Sequence, residues 1–145
     1  MQSNTFYNEL LTDHNLHPAH KKKLEDANLV LEGVNPSCGD DIFLNLKMNG
    51  DVIEDASFQG DGCAISQASV DMMLDLIIGR SKEDALKLAD LFSRMIKGEA
   101  TGDELEPLEE AMSLEDISKM PARVKCAVLG WHTMEDLLGE KDIKE

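Results

Sequence analysis

The sequence predicts an α+β fold, a three-stranded antiparallel sheet with helices packed on one side of it. Two observations carry this. Apolar residues recur with a period of two between residues 28 and 59, around a hairpin signal, and from residue 64 onward the period becomes helical. Strands therefore come in one block and most helices in another, the order of an α+β chain and not of an alternating α/β one.

Taken in order, residues 5–16 (TFYNELLTDHNL) place Phe6, Leu10 and Leu11 on one face of a short helix that Pro18 stops. Lys21, Lys22 and Lys23 form the only basic run. It reads as a solvated loop or as a docking contact for an acidic patch. Leu29 and Leu31 alternate weakly before Gly33 and Asn35-Pro36 interrupt the chain, while Ile42, Leu44, Leu46 and Met48 alternate cleanly. Asn49-Gly50 is a strong hairpin signal, and residues 52–59 (VIEDASFQ) return as the partner. Leu29 to Gln59 thus reads as a three-stranded meander.

After Gly60-Asp61-Gly62-Cys63, the residues Ile65, Ala68, Met72 and Leu76 share a helical stripe that Gly79 ends. Ser81 caps a second helix, with Glu83 and Asp84 in its first turn and Leu86, Leu88, Leu91, Phe92, Met95 and Ile96 along it. Residues 99–119 are acidic, carry Pro107, and read as a connection rich in helical turns, packed on the surface through Leu105, Leu108, Met112, Leu114 and Ile117. Pro121 suits the first turn of a last helix. Its expected core stripe is Val124, Val128, Trp131 and Leu138, and Gly139 is expected to close it.

The 145 residues fit a single domain, 1–145. With 29 acidic against 14 basic residues the net charge is −15, a field that repels phosphate backbones and anionic membranes and suits a basic protein partner or a small cation. No apolar run approaches the ~20 residues that span a bilayer, and the N-terminus lacks the pattern of a signal peptide. A cytoplasmic, reducing location follows. There, three cysteines argue for metal binding or thiol chemistry over disulfides.

Each cysteine lies at a junction. Cys38 sits in the loop between the first two strands, Cys63 in a Gly-Asp-Gly-Cys turn entering a helix, and Cys126 near the start of the last helix. Any of them alone could be a buried small hydrophobe. Against that, Cys38 is flanked by Gly39, Asp40 and Asp41, a polar and exposed neighbourhood. Cys126 falls about 200° around its helix from Val124, off the expected core stripe. If the three meet, Asp40 can add a carboxylate oxygen, and three sulfurs with one oxygen make a tetrahedral site for Zn²⁺ or for iron in a cluster. Four anionic ligands leave about −2 around a dication, which Arg123 and Lys125, flanking Cys126, could balance. No C-x-x-C pair is present, so such a site is assembled by the whole fold. A thiol on a glycine-containing loop could leave the metal and react. His14, His17, His20 and His132 are expected at the surface or in packing roles. Gly60-Asp61-Gly62 lacks the Lys-Ser/Thr of a phosphate loop, and no Ser/His/Asp arrangement is legible.

The stretches PSCGD (36–40), GDGCAIS (60–66) and RVKCAVLGW (123–131) together resemble the U-type iron–sulfur assembly proteins, the NifU N-terminal/IscU-like family. The resemblance covers nearly the whole chain and implies an IscU/SufE-like fold. The SufU branch is the nearer match, because Lys125 stands where IscU proteins carry a histidine before their last cysteine, and because residues 99–119 look like that branch's extra segment. The resemblance implies Zn²⁺ held by Cys38, Asp40, Cys63 and Cys126. It also implies a sulfurtransferase that accepts persulfide sulfur from a SufS-like, pyridoxal-phosphate cysteine desulfurase, for iron–sulfur recipient or scaffold proteins. A histidine of the desulfurase would replace Cys38 on the zinc, freeing its thiolate to take the sulfur, and Arg123 matches an arginine implicated in that transfer. The alternatives are a scaffold on which a transient Fe–S cluster is built, and a purely structural zinc site. Lys125 favours sulfur relay over the scaffold.

Overall fold

Strand pairing is anchored at the predicted hairpin. In a computed structural model describing residues 9–36 and 39–144, and side chains as far as residue 139, Asn49 pairs with Val52 across the two-residue loop Gly50-Asp51. Gly50 adopts φ 64°, as a glycine in the first loop position of a type II′ turn does. The sheet runs β1 (Leu29–Asn35), β2 (Asp40–Asn49), β3 (Val52–Asp61), antiparallel throughout in the order β1-β2-β3. A register shift between Lys47 and Met48 puts an extra residue into β3. It brings Ile53 onto the same buried face as Ala56 and Phe58, although Ile53 and Ala56 are three residues apart. Ile42, Leu44 and Leu46 complete that face.

The outer edge of β3 is covered at both ends, which blunts it against pairing with another chain. Phe58 N–H donates to His20 O at 3.0 Å and Lys22 N–H to Phe58 O at 3.0 Å, while Ile53 N–H donates to Arg80 O at 2.9 Å. The basic run is therefore tied down by its backbone. Its side chains remain exposed, and Lys21 Nζ donates to Gln67 Oε1 at 2.6 Å.

Among the described residues, four α-helices and a 3₁₀ segment lie over that buried sheet face: α1 (Glu9–Leu16), α2 (Ala64–Ile77), α3 (Lys82–Ile96), the 3₁₀ segment Gly102–Lys119, and α4 (Pro121–Lys144). The predicted α2 stripe is buried, and so is most of the remainder of that helix, because α2 packs against β3, α1, α4 and the 3₁₀ segment. Ser81 caps α3 as expected, accepting the Asp84 N–H at 3.1 Å. Leu88, Leu91, Phe92, Met95 and Ile96 are buried, and Leu86 half-buried. Among the described residues no helix is long and apolar enough to cross a membrane.

Several expectations are corrected. On α1 the buried residues are Leu11 and His14, and Leu10 is exposed; Phe6 lies outside the described residues. Burial alone would push the His14 imidazole down, but hydrogen bonds to Glu110 and Asp71 and the charges of Asp71 and Asp75 hold it above its ordinary value. The connection over 99–119 is rich in helical turns, as expected, but it is packed into the core and not onto the surface. Leu105, Leu108, Ala111, Leu114 and Ile117 are all buried, with Ala111 and not Met112 in the stripe. Their spacing of three is the period at which 3₁₀ side chains eclipse, and the segment breaks at Glu109, φ 50°.

The last helix does not stop at Gly139 but continues to Lys144. A glycine inside a helix costs about 1 kcal/mol relative to alanine and ends it only where the chain turns left-handed. The buried face of α4 is also rotated from the expected one. Cys126, Ala127, Gly130, Trp131, Met134 and Leu137 are inside with Leu138, whereas Val124 and Val128 lie half-buried on the flank. Trp131 stacks on Phe92 with centroids 4.3 Å apart, and its Nε1–H donates to Ser69 Oγ at 3.0 Å. Small residues set how near α4 comes. A Cβ on Gly130 would lie 2.8 Å from Val70 Cγ2, and one on Gly33 would lie 2.1 Å from Thr133 Oγ1. α4 is thereby pressed onto α2 and β1, which carries Cys126 to the end of the sheet.

Candidate metal centre

Asp40 is the first residue of β2 and pairs with Asn35, the last of β1. It is in phase with Ile42, Leu44 and Leu46, so its carboxylate points to the helix side of the sheet and is fully buried. This corrects the expectation of an exposed setting around Cys38: Gly39 is exposed, Asp41 half-buried and Asp40 inside. Cys38 itself, with Ser37, lies outside the described residues.

Cys63 reaches Asp40 because two glycines allow the backbone in. A Cβ on Gly60, which adopts φ 110°, would lie 2.1 Å from Asp41 O, and one on Gly62 would lie 2.9 Å from Asp40 Oδ1. Cys63 N–H donates to Asp40 Oδ1 at 2.8 Å. The same cysteine is the N-cap of α2, its Sγ accepting the Ser66 N–H at 3.4 Å. The thiol thus stands at the N-terminal end of α2.

Cys126 is 0% exposed, against the expectation that it stands off the core. One oxygen of Asp40 and the sulfurs of Cys63 and Cys126 all lie within 4.8 Å of one another. Ligands about 2.3 Å (sulfur) and 2.0–2.2 Å (oxygen) from a tetrahedral zinc stand roughly 3.5–3.8 Å apart, so modest side-chain rotation would close the set. Asn35 sits between two of the three. Its Nδ2 donates to Asp40 Oδ2 at 3.4 Å and approaches Cys126 Sγ at 3.9 Å.

The flanking cations take different positions. Arg123 is half-buried in the first turn of α4, and Lys125 is exposed. Lys125 lines a groove of about 510 Å³ between β1 and α4, together with Gly33, Asn35, Pro36 and His132. Asp41, turned to the other sheet face, raises the carboxyl of Glu32 through a hydrogen bond. None of the histidines joins the cluster.

The sequence reading assigned no role to Asn35, Gly62 or Ser66. Strand phase could have identified Asn35, since Leu29, Leu31, Gly33 and Asn35 alternate on one face as Asp40, Ile42 and Leu44 do on the next strand.

Comparison with known proteins gives a consistent picture. The family described as NifU-like N terminal domain matches residues 6–138. The zinc-dependent sulfurtransferase SufU of Bacillus subtilis (strain 168) is 42% identical over 131 residues, covering 90% of this chain and 88% of that protein. An iron–sulfur cluster assembly scaffold protein IscU from Streptococcus pyogenes serotype M1 is also 42% identical, over 93% of this chain and 84% of its own. Among solved structures, a SufU from the thermophile Fervidobacterium islandicum AW-1 superimposes with a TM-score of 0.87 at 38% identity, covering 94% of this chain and 98% of that one.

Proposed function

Since the chain belongs to the family of the NifU-like N-terminal domain, we propose that it is a zinc-dependent sulfurtransferase, which accepts persulfide sulfur from a cysteine desulfurase for iron–sulfur cluster assembly. One observation carries the reading. Asp40 from β2, Cys63 from the start of α2 and Cys126 from α4 bring a carboxylate and two sulfurs within 4.8 Å of one another. That donor set fits zinc, since soft sulfurs with one oxygen in a closed group are what a tetrahedral zinc takes. Cys38, two residues before Asp40, is assigned as the fourth ligand. Bound there, zinc keeps the thiols deprotonated at neutral pH.

The residues then have separate tasks. Cys63 and Cys126 are anchored, one at a helix N-terminus and the other in the core, and hold the site together. Asn35 keeps the Asp40 carboxylate and the Cys126 sulfur in register. Cys38 is the acceptor. Its thiolate attacks the outer sulfur of the desulfurase persulfide, the new bond being Cys38 S–S, and the desulfurase cysteine leaves as thiolate with its electron pair. Arg123, one helical turn before Cys126, supplies positive charge to an otherwise anionic centre. The partners are a SufS-like desulfurase and the recipients or scaffolds of iron–sulfur assembly. The whole of 1–145 acts as one domain, in a reducing cytoplasm.

Mass spectrometry of the zinc-loaded chain after incubation with a cysteine desulfurase and cysteine tests this. The expected result is a peptide carrying Cys38 heavier by one sulfur atom. Labelling only at Cys63 or Cys126, or none at all, overturns it. The equal identity to an IscU scaffold supports a second reading, assembly of an Fe–S cluster on the same residues. Anaerobic incubation with iron, desulfurase and cysteine separates the two, because a scaffold develops the visible absorption of a cluster and a relay protein keeps its zinc.

A further inference from the structure

A second group of side chains, well away from the thiols, ties α1 to α2 and to the 3₁₀ segment. Asp71 and Asp75 stand about 12 and 18 Å along α2 from Cys63. His14 is 7% exposed. Its Nδ1 is 2.7 Å from Asp71 Oδ2, and its Nε2 is 2.7 Å from Glu110 Oε1 and 4.0 Å from Asp75 Oδ2. His20 Nε2 is 2.7 Å from Asp75 Oδ1.

From this geometry we propose a second divalent-metal site, formed by His14 Nε2, Asp75 Oδ2 and Glu110 Oε1 and independent of the cysteines.

The three residues offer ligand atoms that all lie within 4.8 Å of one another. Two ligands about 2.1 Å from one ion stand roughly 3.0 Å apart at a right angle and 3.4 Å apart at a tetrahedral one. The observed 2.7 and 4.0 Å bracket that spacing.

The surrounding groups aim the ligands. Asp71 is 1% exposed, and its oxygens take the His20 N–H at 2.9 Å and the Ala19 N–H at 3.3 Å. That fixed carboxylate accepts the Nδ1–H of His14 and holds the ring so that Nε2, whose proton goes to Glu110 Oε1, faces the outer carboxylates; an arriving cation would displace that proton and take the lone pair. A carboxylate on the far nitrogen is how metal-bound histidines are generally oriented. His20 in turn donates to one oxygen of Asp75, leaving the other turned toward His14. Both inner ligands therefore have an outer partner already in place.

The donor set also selects the ion. One imidazole nitrogen and two carboxylate oxygens, without sulfur, suit Mn²⁺, Fe²⁺ or Zn²⁺ and disfavour Cu⁺. The Asp75 and Glu110 side chains are 47% and 56% exposed, so water can fill the remaining coordination positions. A net charge of −15 draws cations toward such a site. Bound there, the ion would cross-link three elements, α1, α2 and the 3₁₀ segment.

The test is a titration of Mn²⁺ into the full-length, zinc-loaded chain, with free Mn²⁺ followed by electron paramagnetic resonance. One saturable equivalent is expected. It should weaken by about tenfold or more in both Glu110→Gln and Asp75→Asn, and persist in Asp40→Ala, which alters only the thiol centre. Because Glu110 and Asp75 are exposed, these two variants keep their fold, and melting curves confirm it. Absence of saturable uptake, uptake unchanged in both variants, or uptake lost with Asp40 overturns the proposal.

Discussion

Replacing Asp40 with alanine probes the thiol centre most directly. On the proposed assignment, the substitution removes one of four zinc ligands. Zinc sites in small peptides bind with about 10–16 kcal/mol, so an even share is about 2.5–4 kcal/mol, which at 1.4 kcal/mol per decade is a loss of roughly 60- to 10³-fold in affinity. In the metal-free protein the effect is smaller. The variant gives up the charge-assisted bond from Cys63 N–H at 2.8 Å, worth about 1.5–3 kcal/mol. It is also relieved of a carboxylate that is fully buried beside two sulfurs. Asp40→Asn separates these contributions, since its amide oxygen still accepts the Cys63 N–H but brings no charge to the ion. Competition against a chromophoric chelator measures zinc affinity, and melting curves with and without chelator measure the two stabilities. Asp40→Ala should lose most of the stabilisation that zinc confers while its metal-free melting temperature shifts much less. A zinc dissociation constant within about threefold of the parent, well under 1 kcal/mol, would refute the assignment of Asp40 as a ligand.

Three further outcomes follow from the same geometry. Asn35→Ala removes the amide lying between Asp40 Oδ2 and Cys126 Sγ, and should weaken zinc by about tenfold in the chelator competition; unchanged affinity would show the amide to be a bystander. Gly62→Ala places a Cβ 2.3 Å from Ser66 Oγ and 2.9 Å from Asp40 Oδ1, so both the melting temperature and zinc retention should fall, and a variant matching the parent in both would show that the turn yields easily. Burial raises the Glu135 carboxyl above its ordinary 4.5, helped by Asp136 and Asp90 and opposed by His132 and Lys97. The stability tied to that proton is complete below the unfolded value and is lost as pH rises through the folded one. Glu135→Gln should therefore raise the melting temperature at pH 7 and leave it nearly unchanged at pH 4, and an equal shift at both would contradict the assignment.

The sheet was legible because β2 alternates without interruption and a turn signal follows it. Its register was not, because a one-residue shift at Lys47/Met48 leaves no trace in an apolar pattern that Glu54 and Asp55 already interrupt. Looking for bulky residues also misplaced the core face of α4. The closest approaches to α2 and β1 are made by Gly130, packed on Val70, and by Gly33, packed on Thr133, where a larger residue would not fit. β-branched Val124 and Val128 were drawn inward by their hydrophobicity and instead flank that contact. The 3₁₀ segment was legible as a run of helical turns but not in its depth. Leu105, Leu108, Ala111, Leu114 and Ile117 repeat every three residues, and a reading that looked for bulky groups took Met112 where the strict spacing selects Ala111.

The thiol centre shows why motif reading and strand phase have to be combined. The cysteine stretches suggested a joint site but gave no distances, and Asp40 was placed among exposed neighbours because Gly39 and Asp41 beside it are polar. Strand phase alone would have turned Asp40 inward with Ile42, and Asn35 with Gly33, onto the face that α2 and α4 cover. A carboxylate in that position is costly unless something cationic or hydrogen-bonding meets it. Among the described residues, the Cys63 N–H and the Asn35 amide each meet one of its oxygens, and neither donor carries a full positive charge. A fold that buries an acid between two thiols has a use for a cation there, and that electrostatic demand, more than the spacing of the cysteines, is the physical reason to expect a metal at this end of the sheet.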